Sequence, residues 1–236
     1  MLVSHKHRFA FVHVPKTGGC SISQALQPYG DRVMRFWMNR WLDRIGIHVN
    51  HYAPPEMKRF RLHTPADTLR RQLPADDFAR LFKFAFVRNP WDLLVSYFHY
   101  LVSSPRHHRR ARATGLASFE GYVDYELRRD KISQSRMLCD RHGRLLVDHV
   151  ARFESLHEDF DRICGWLGVP ATLPHVNRTV AHDRRDYRTY YTPRLAARVA
   201  EHFAEDIERF GYTFDGLAAS PFRPAAEPAG VMLRAA

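Results

Sequence analysis

The 236-residue sequence is poor in cysteine. Only Cys20, Cys139 and Cys164 occur, far apart and without a CxxC pair, which excludes a disulfide framework and a zinc site of the usual ligand spacing. A reducing, cytoplasmic setting is expected. No stretch approaches the roughly 18 consecutive apolar residues of a membrane span. A strand-like run opens at Phe9, too early for a charged start followed by a long apolar signal core. Internal repeats are lacking, and so is lysine, which supplies only five of the 36 basic residues. Arginine therefore carries the positive charge, and its planar fork suits carboxylate, phosphate or sulfate. The 45% hydrophobic and 13% aromatic content fits one compact domain, expected over residues 1–217. The Ala/Pro-rich stretch 218–236 has too little apolar bulk to pack and is expected to be flexible. A formal net charge of +11 favours an anionic partner, either nucleic acid or a phosphorylated cofactor.

Two stretches share one pattern. Phe9 to Val14 is almost continuously apolar and stops at Pro15, as a buried strand running into a loop would. Lys16-Thr17-Gly18-Gly19 follows, and from Ser21 the spacing is helical. Phe82 to Val87 repeats the buried-strand pattern, is broken by Asn89-Pro90, and leads into an amphipathic run from Trp91 to Leu101. Two strand-loop-helix units predict an α/β fold with a mostly parallel sheet. Helices are expected around Trp37–Arg44, from Pro65 to Gln72, over Phe119–Arg129 and Gln134–Asp140, over Glu154–Leu167 with closure at Gly168, and from Pro193 to Phe210. Leu145 to Phe153 predicts a further strand. Ser103 to Gly115 is a basic surface loop, and the segment 31–81 is placed to line a substrate cleft.

The first loop, Pro15 to Ser21, sits where glycines let backbone N–H groups converge on an anion and a helix N-terminus adds favourable potential. Lysine precedes the glycines, whereas the ATPase phosphate loop GxxxxGK[ST] needs it after them, so an ATPase assignment fails. The plainer reading is a tight turn with a surface lysine. At the end of the second strand stands Arg88, with Ser96 about two turns into the following helix. A guanidinium and a hydroxyl so placed can converge on one phosphate; alternatively, Arg88 caps the helix or pairs with Asp92.

FVHVPKTGGCSI together with FKFAFVRNPWDLLVSYF resembles the sulfotransferases that use 3′-phosphoadenosine 5′-phosphosulfate (PAPS), most closely the carbohydrate sulfotransferase branch and its bacterial soluble members. The likeness continues through Asp148–Leu156, Leu173–Arg178, Tyr190–Thr192 and Asp206–Phe214, and so covers residues 8 to 215. It implies a three-layer, P-loop-NTPase-like α/β fold whose central, mostly parallel sheet is flanked by helices. It implies that Lys16, Thr17, Gly18, Gly19, Cys20 and Ser21 grip the 5′-phosphosulfate, and that Arg88 and Ser96 hold the 3′-phosphate. Asn177, Arg178, Arg184 and Arg185 fall where relatives complete the nucleotide pocket, and Arg178 is taken as the cofactor ligand among them. Cys20 departs from the family, which usually has threonine there; a thiol is a poor hydrogen-bond donor, and weakened cofactor affinity would follow unless backbone N–H groups and Ser21 compensate.

Sulfuryl transfer moves an anionic group between oxygens, so positioning and charge stabilisation should dominate, by analogy with phosphoryl transfer. Lys16 is the natural partner for charge growing on the leaving oxygen. An acceptor hydroxyl needs a base poised near neutrality, and His63, lying between the two motifs where related enzymes carry their catalytic histidine, is assigned that part. His51 and then Glu56 are the alternatives. His13 reads as a buried, hydrogen-bonded strand residue, and Trp91 either stacks on adenine or packs the core. No metal is required. By the resemblance the acceptor is a saccharide hydroxyl, and the arginine-rich loop would suit an acidic one. Two readings compete: a basic nucleic-acid-binding module, which lacks helix-turn-helix, zinc and RNP signatures, and a kinase-like phosphotransferase, which the loop order disfavours.

Overall fold

Continuous apolar runs make strands buried on both faces, and the computed structural model places the two strongest side by side. It describes residues 1–31, 62–104, 115, 118–174 and 186–218. The helix expected around Trp37–Arg44, most of the 103–115 loop and the tail beyond 218 lie outside the described residues. In chain order the strands are β1 (Leu2–Ser4), β2 (Phe9–Val12), β3 (Phe82–Val87), β4 (His149–Arg152), β5 (Tyr212–Thr213) and β6 (Gly216–Leu217). The helices are α1 (Gly19–Leu26), α2 (Ala66–Gln72), α3 (Ala75–Arg80), α4 (Pro90–Ser103), α5 (Phe119–Arg129), α6 (Ser135–Leu138), α7 (Leu156–Leu167), α8 (Pro193–His202) and α9 (Ala204–Phe210). Among the described residues no helix is long and apolar enough to cross a membrane. The chain divides into two compact units, one holding Met1–Val87 and Ser135–Val176, the other Arg88–Gln134 and Asn177–Arg223.

The first unit carries a sheet of order β1-β2-β3-β4. β1 is antiparallel to β2, while β2–β3 and β3–β4 are parallel, with Val12 opposite Ala85 and Val87 opposite Arg152. Alternation along the strands sends Phe9, Phe11, Phe84 and Phe86 to one face, where Ile22 and Leu26 of α1 and Phe160, Ile163 and Leu167 of α7 meet them. Phe11 and Phe84 stack at 5.3 Å, and each ring withdrawn from water is worth about 1.5–3 kcal/mol. Lys83 interrupts β3 yet is buried; its ammonium donates to Leu81 O and lies 2.8 Å from Asp148 Oδ2, so the charge is matched where it enters the sheet. α7 closes as expected on Gly168, at φ 63.

The second unit is helical around Trp91, Leu94, Leu101, Tyr122, Val123, Leu195, Val199 and Phe203. Helices α4, α5 and α8 start on side-chain caps: Asn89 accepts from Trp91 N–H, Ser118 from Gly121 N–H and Thr192 from Leu195 N–H, each satisfying one orphan donor. The helix expected from Pro193 to Phe210 is broken at Phe203 (φ −100°, ψ 21°) into α8 and α9. The buried Phe203 ring at the break is held by the core, at the expense of helical continuity. The run expected as a strand from Leu145 pairs fully only from His149: Leu145 instead bridges Cys139, across a turn in which Asp140 accepts from His142 and Arg144 N–H.

Candidate active site

In the first unit, the loop after β2 is shaped by backbone geometry that few sequences tolerate. Lys16 has φ 66° and Gly18 φ 78°. The first is a left-handed conformation that costs a residue with a Cβ on the order of 1–2 kcal/mol. Thr17 is buried and its hydroxyl donates to Val14 O at 2.9 Å, which closes the loop and leaves the peptide as Thr17's means of meeting an anion. Gly18 is the N-cap of α1 without a side-chain cap, the arrangement in which first-turn N–H groups and the helix dipole face an anion. Cys20 is exposed and Ser21 half-buried on that first turn.

Glycine is demanded twice. A Cβ on Gly18 would come within 3.0 Å of Leu156, and one on Gly19 within 2.1 Å of the His13 ring. That ring also meets His63 edge-on, at 4.6 Å between centroids. His63 Nδ1 lies 3.1 Å from His13 O. A carbonyl only accepts, so Nδ1 carries a proton, and in the neutral ring the lone pair is then on Nε2, the form a general base requires. His63 is exposed whereas His13 is buried. Burial holds His13 well below the ordinary imidazole range, with His63 and the N-terminal amine adding to the effect. Its expected hydrogen bonding is incomplete, since Nδ1 has no partner among the described residues. The first unit therefore brings Gly19 of the loop and His63 against one ring, that of His13.

In the second unit Arg88 is 2% exposed. Its Nε and Nη2 reach Asp92 Oδ2 at 2.7 and 2.6 Å. The pairing weighed from sequence therefore forms, and it orients the guanidinium. Ser96 is half-buried further along α4. Trp91 is packed, not presented: its indole donates to Ala196 O at 3.0 Å and its ring lies edge-on to Phe214. Gln134 binds the Arg88 peptide at both polar groups, a contact for which an isolated glutamine 46 positions away gives no signal. His51, Glu56, Asn177, Arg178, Arg184 and Arg185 lie outside the described residues. Among the described residues no group of His, Cys, Asp and Glu could hold a metal ion.

The sequence model described as "Sulfotransferase family" matches residues 1–213. Among solved structures, the mouse sulfotransferase SULT7A1 complexed with PAP superposes with a TM-score of 0.53 at 15% identity, over 87% of this chain and 86% of that one. The likeness is one of fold: an α/β architecture with a mostly parallel central sheet flanked by helices, as in P-loop proteins. No curated protein matches the chain significantly.

Proposed function

The chain belongs to the sulfotransferase family, and on that premise we propose that it moves the sulfuryl group of PAPS to an acceptor hydroxyl. The similar mouse enzyme is described as complexed with PAP, the nucleotide such a transfer leaves behind. Lys16 and the peptides of Thr17 to Ser21 hold the 5′-phosphosulfate, Arg88 and Ser96 take the 3′-phosphate, and Arg178 adds to the cofactor's binding. His63 Nε2 accepts the acceptor's proton as the new S–O bond forms. The S–O bond to the 5′-phosphate breaks with its electron pair leaving on that oxygen, and the Lys16 ammonium offsets the growing charge. The acceptor is a carbohydrate hydroxyl, a reading supported by the sequence resemblance and by an arginine-rich chain suited to acidic glycans. Three cysteines, none in a disulfide, suit a reducing, cytoplasmic setting.

The observation that supports this reading is the ring of His13, which lies against both Gly19 of the anion loop and His63. Incubation with labelled PAPS and a panel of glycans, phenols and lipids tests it. Label should pass to a glycan. Lys16→Ala should abolish transfer, and Arg88→Ala should do so chiefly through a raised KM for PAPS. His63→Ala should lower kcat by about 10²–10⁴-fold with PAPS affinity nearly intact. Turnover of ATP without use of PAPS, or full activity of His63→Ala, would overturn the assignment or the base respectively.

A further inference from the structure

We propose that Gln134, seated on Asp206, is a positioning residue for Arg88, and that it sets the preference for nucleotides bearing a 3′-phosphate. The inference rests on the reading of Arg88 given above. The parallel ladder ends with Val87 opposite Arg152, so the buried peptide groups of Arg88 must find partners elsewhere. One carboxamide supplies both. Gln134 Oε1 accepts from Arg88 N–H at 2.8 Å, and Gln134 Nε2 donates to Arg88 O at 2.8 Å. Only an amide side chain offers a donor and an acceptor in one plane that matches a peptide edge in this way.

Gln134 is anchored in turn. Its own N–H donates to Asp206 Oδ2 at 2.8 Å, and the Ser133 hydroxyl leans on Oδ1 at 3.5 Å. Gln134 and Asp206 are 1% and 2% exposed. A buried carboxylate is costly unless hydrogen-bonded, and here its bonds run to the segment that grips Arg88. The arginine is thus fixed at both ends, its peptide by Gln134 and its guanidinium by Asp92. A small rotation of that peptide is amplified along the side chain. Loss of the clasp misaims the guanidinium while leaving the loop at residues 16–21 untouched.

Calorimetric affinities for adenosine 3′,5′-bisphosphate and adenosine 5′-monophosphate, measured on wild type, Gln134→Leu, Asp206→Asn and Arg88→Ala, test this. Wild type should favour the bisphosphate. Gln134→Leu should lower that preference about tenfold with monophosphate affinity changed less than about twofold, and Asp206→Asn should lower it in the same sense by less. Circular dichroism identifies which variants fold, and Asp206→Asn carries the comparison if Gln134→Leu does not. A preference unchanged in the folded variants, or equal weakening of both nucleotides, overturns the positioning role. A preference that survives Arg88→Ala removes the 3′-phosphate reading itself, and the inference with it.

Discussion

Gly19 and His13 occupy one volume: the imidazole stands where a methyl group on residue 19 would have to go. Gly19→Ala should therefore cost about 1–3 kcal/mol, as overpacking does, read as a lowered urea midpoint at unchanged m-value. Lys16 carries a different strain, its left-handed backbone. Lys16→Gly should be more stable than Lys16→Ala by about 1 kcal/mol although both lack transfer activity, which separates the conformational demand from the charge. Of the three thiols, Cys139 and Cys164 are buried and Cys20 is exposed, and burial pushes the Cys164 thiol up to about 11. One equivalent of iodoacetamide should react with the native protein, at Cys20, and adenosine 3′,5′-bisphosphate should slow it; labelling indifferent to the nucleotide would argue against an anion at this turn. At this scale the sequence discloses the loop, because spacing of Lys16, Gly18 and Gly19 within four residues is a local property. The wedge of His13 and the grip of Gln134 depend on neighbours brought together by the chain's path, and composition carries no trace of them.

Elements were legible where their cause is local. β3 and α5 have the bounds their patterns predict, since continuous apolarity and a Ser118 cap act within a few residues. β1 is three residues long, too short for any periodicity, and the break between α8 and α9 is set by the burial of Phe203. β4 holds a residue that its own sequence misrepresents. His149 is buried, lies edge-on to Trp166 at 4.9 Å, and has no hydrogen-bond partner for either nitrogen among the described residues. It works as an aromatic core ring with two unsatisfied polar atoms. His149→Phe should leave stability equal or higher at neutral pH, by up to about 1 kcal/mol, or about 2–4 °C in Tm. Phe84→Ala, by contrast, should lose about 3–5 kcal/mol. Thermal melts of the two variants would distinguish a ring tolerated for its shape from one that holds the sheet to α1 and α7.

Across the whole molecule, charge and protonation act together. Burial is the leading cause that lowers His13, His99 and His149 below their ordinary 6.5. The unfolded chain then takes up protons first as pH falls, so their contribution is intact above about 6.5 and is lost progressively below it. Fifteen histidines titrating onto a formal charge of +11 add self-repulsion in the same direction. Tm should fall steadily from pH 7 to pH 5, and His149→Phe should flatten part of that slope; a Tm independent of pH over this range would contradict the assignment. The β5–β6 hairpin has a practical corollary for trimming the chain. The family match stops at residue 213, but Phe214 O accepts the Tyr187 hydroxyl, Leu217 pairs with Tyr212, and Ala218 N–H donates to Gly211 O. A truncation at the homology boundary would strip Tyr212 of its partner strand and Trp91 of the ring beside it, so the shortest version that keeps its shape ends no earlier than Ala218.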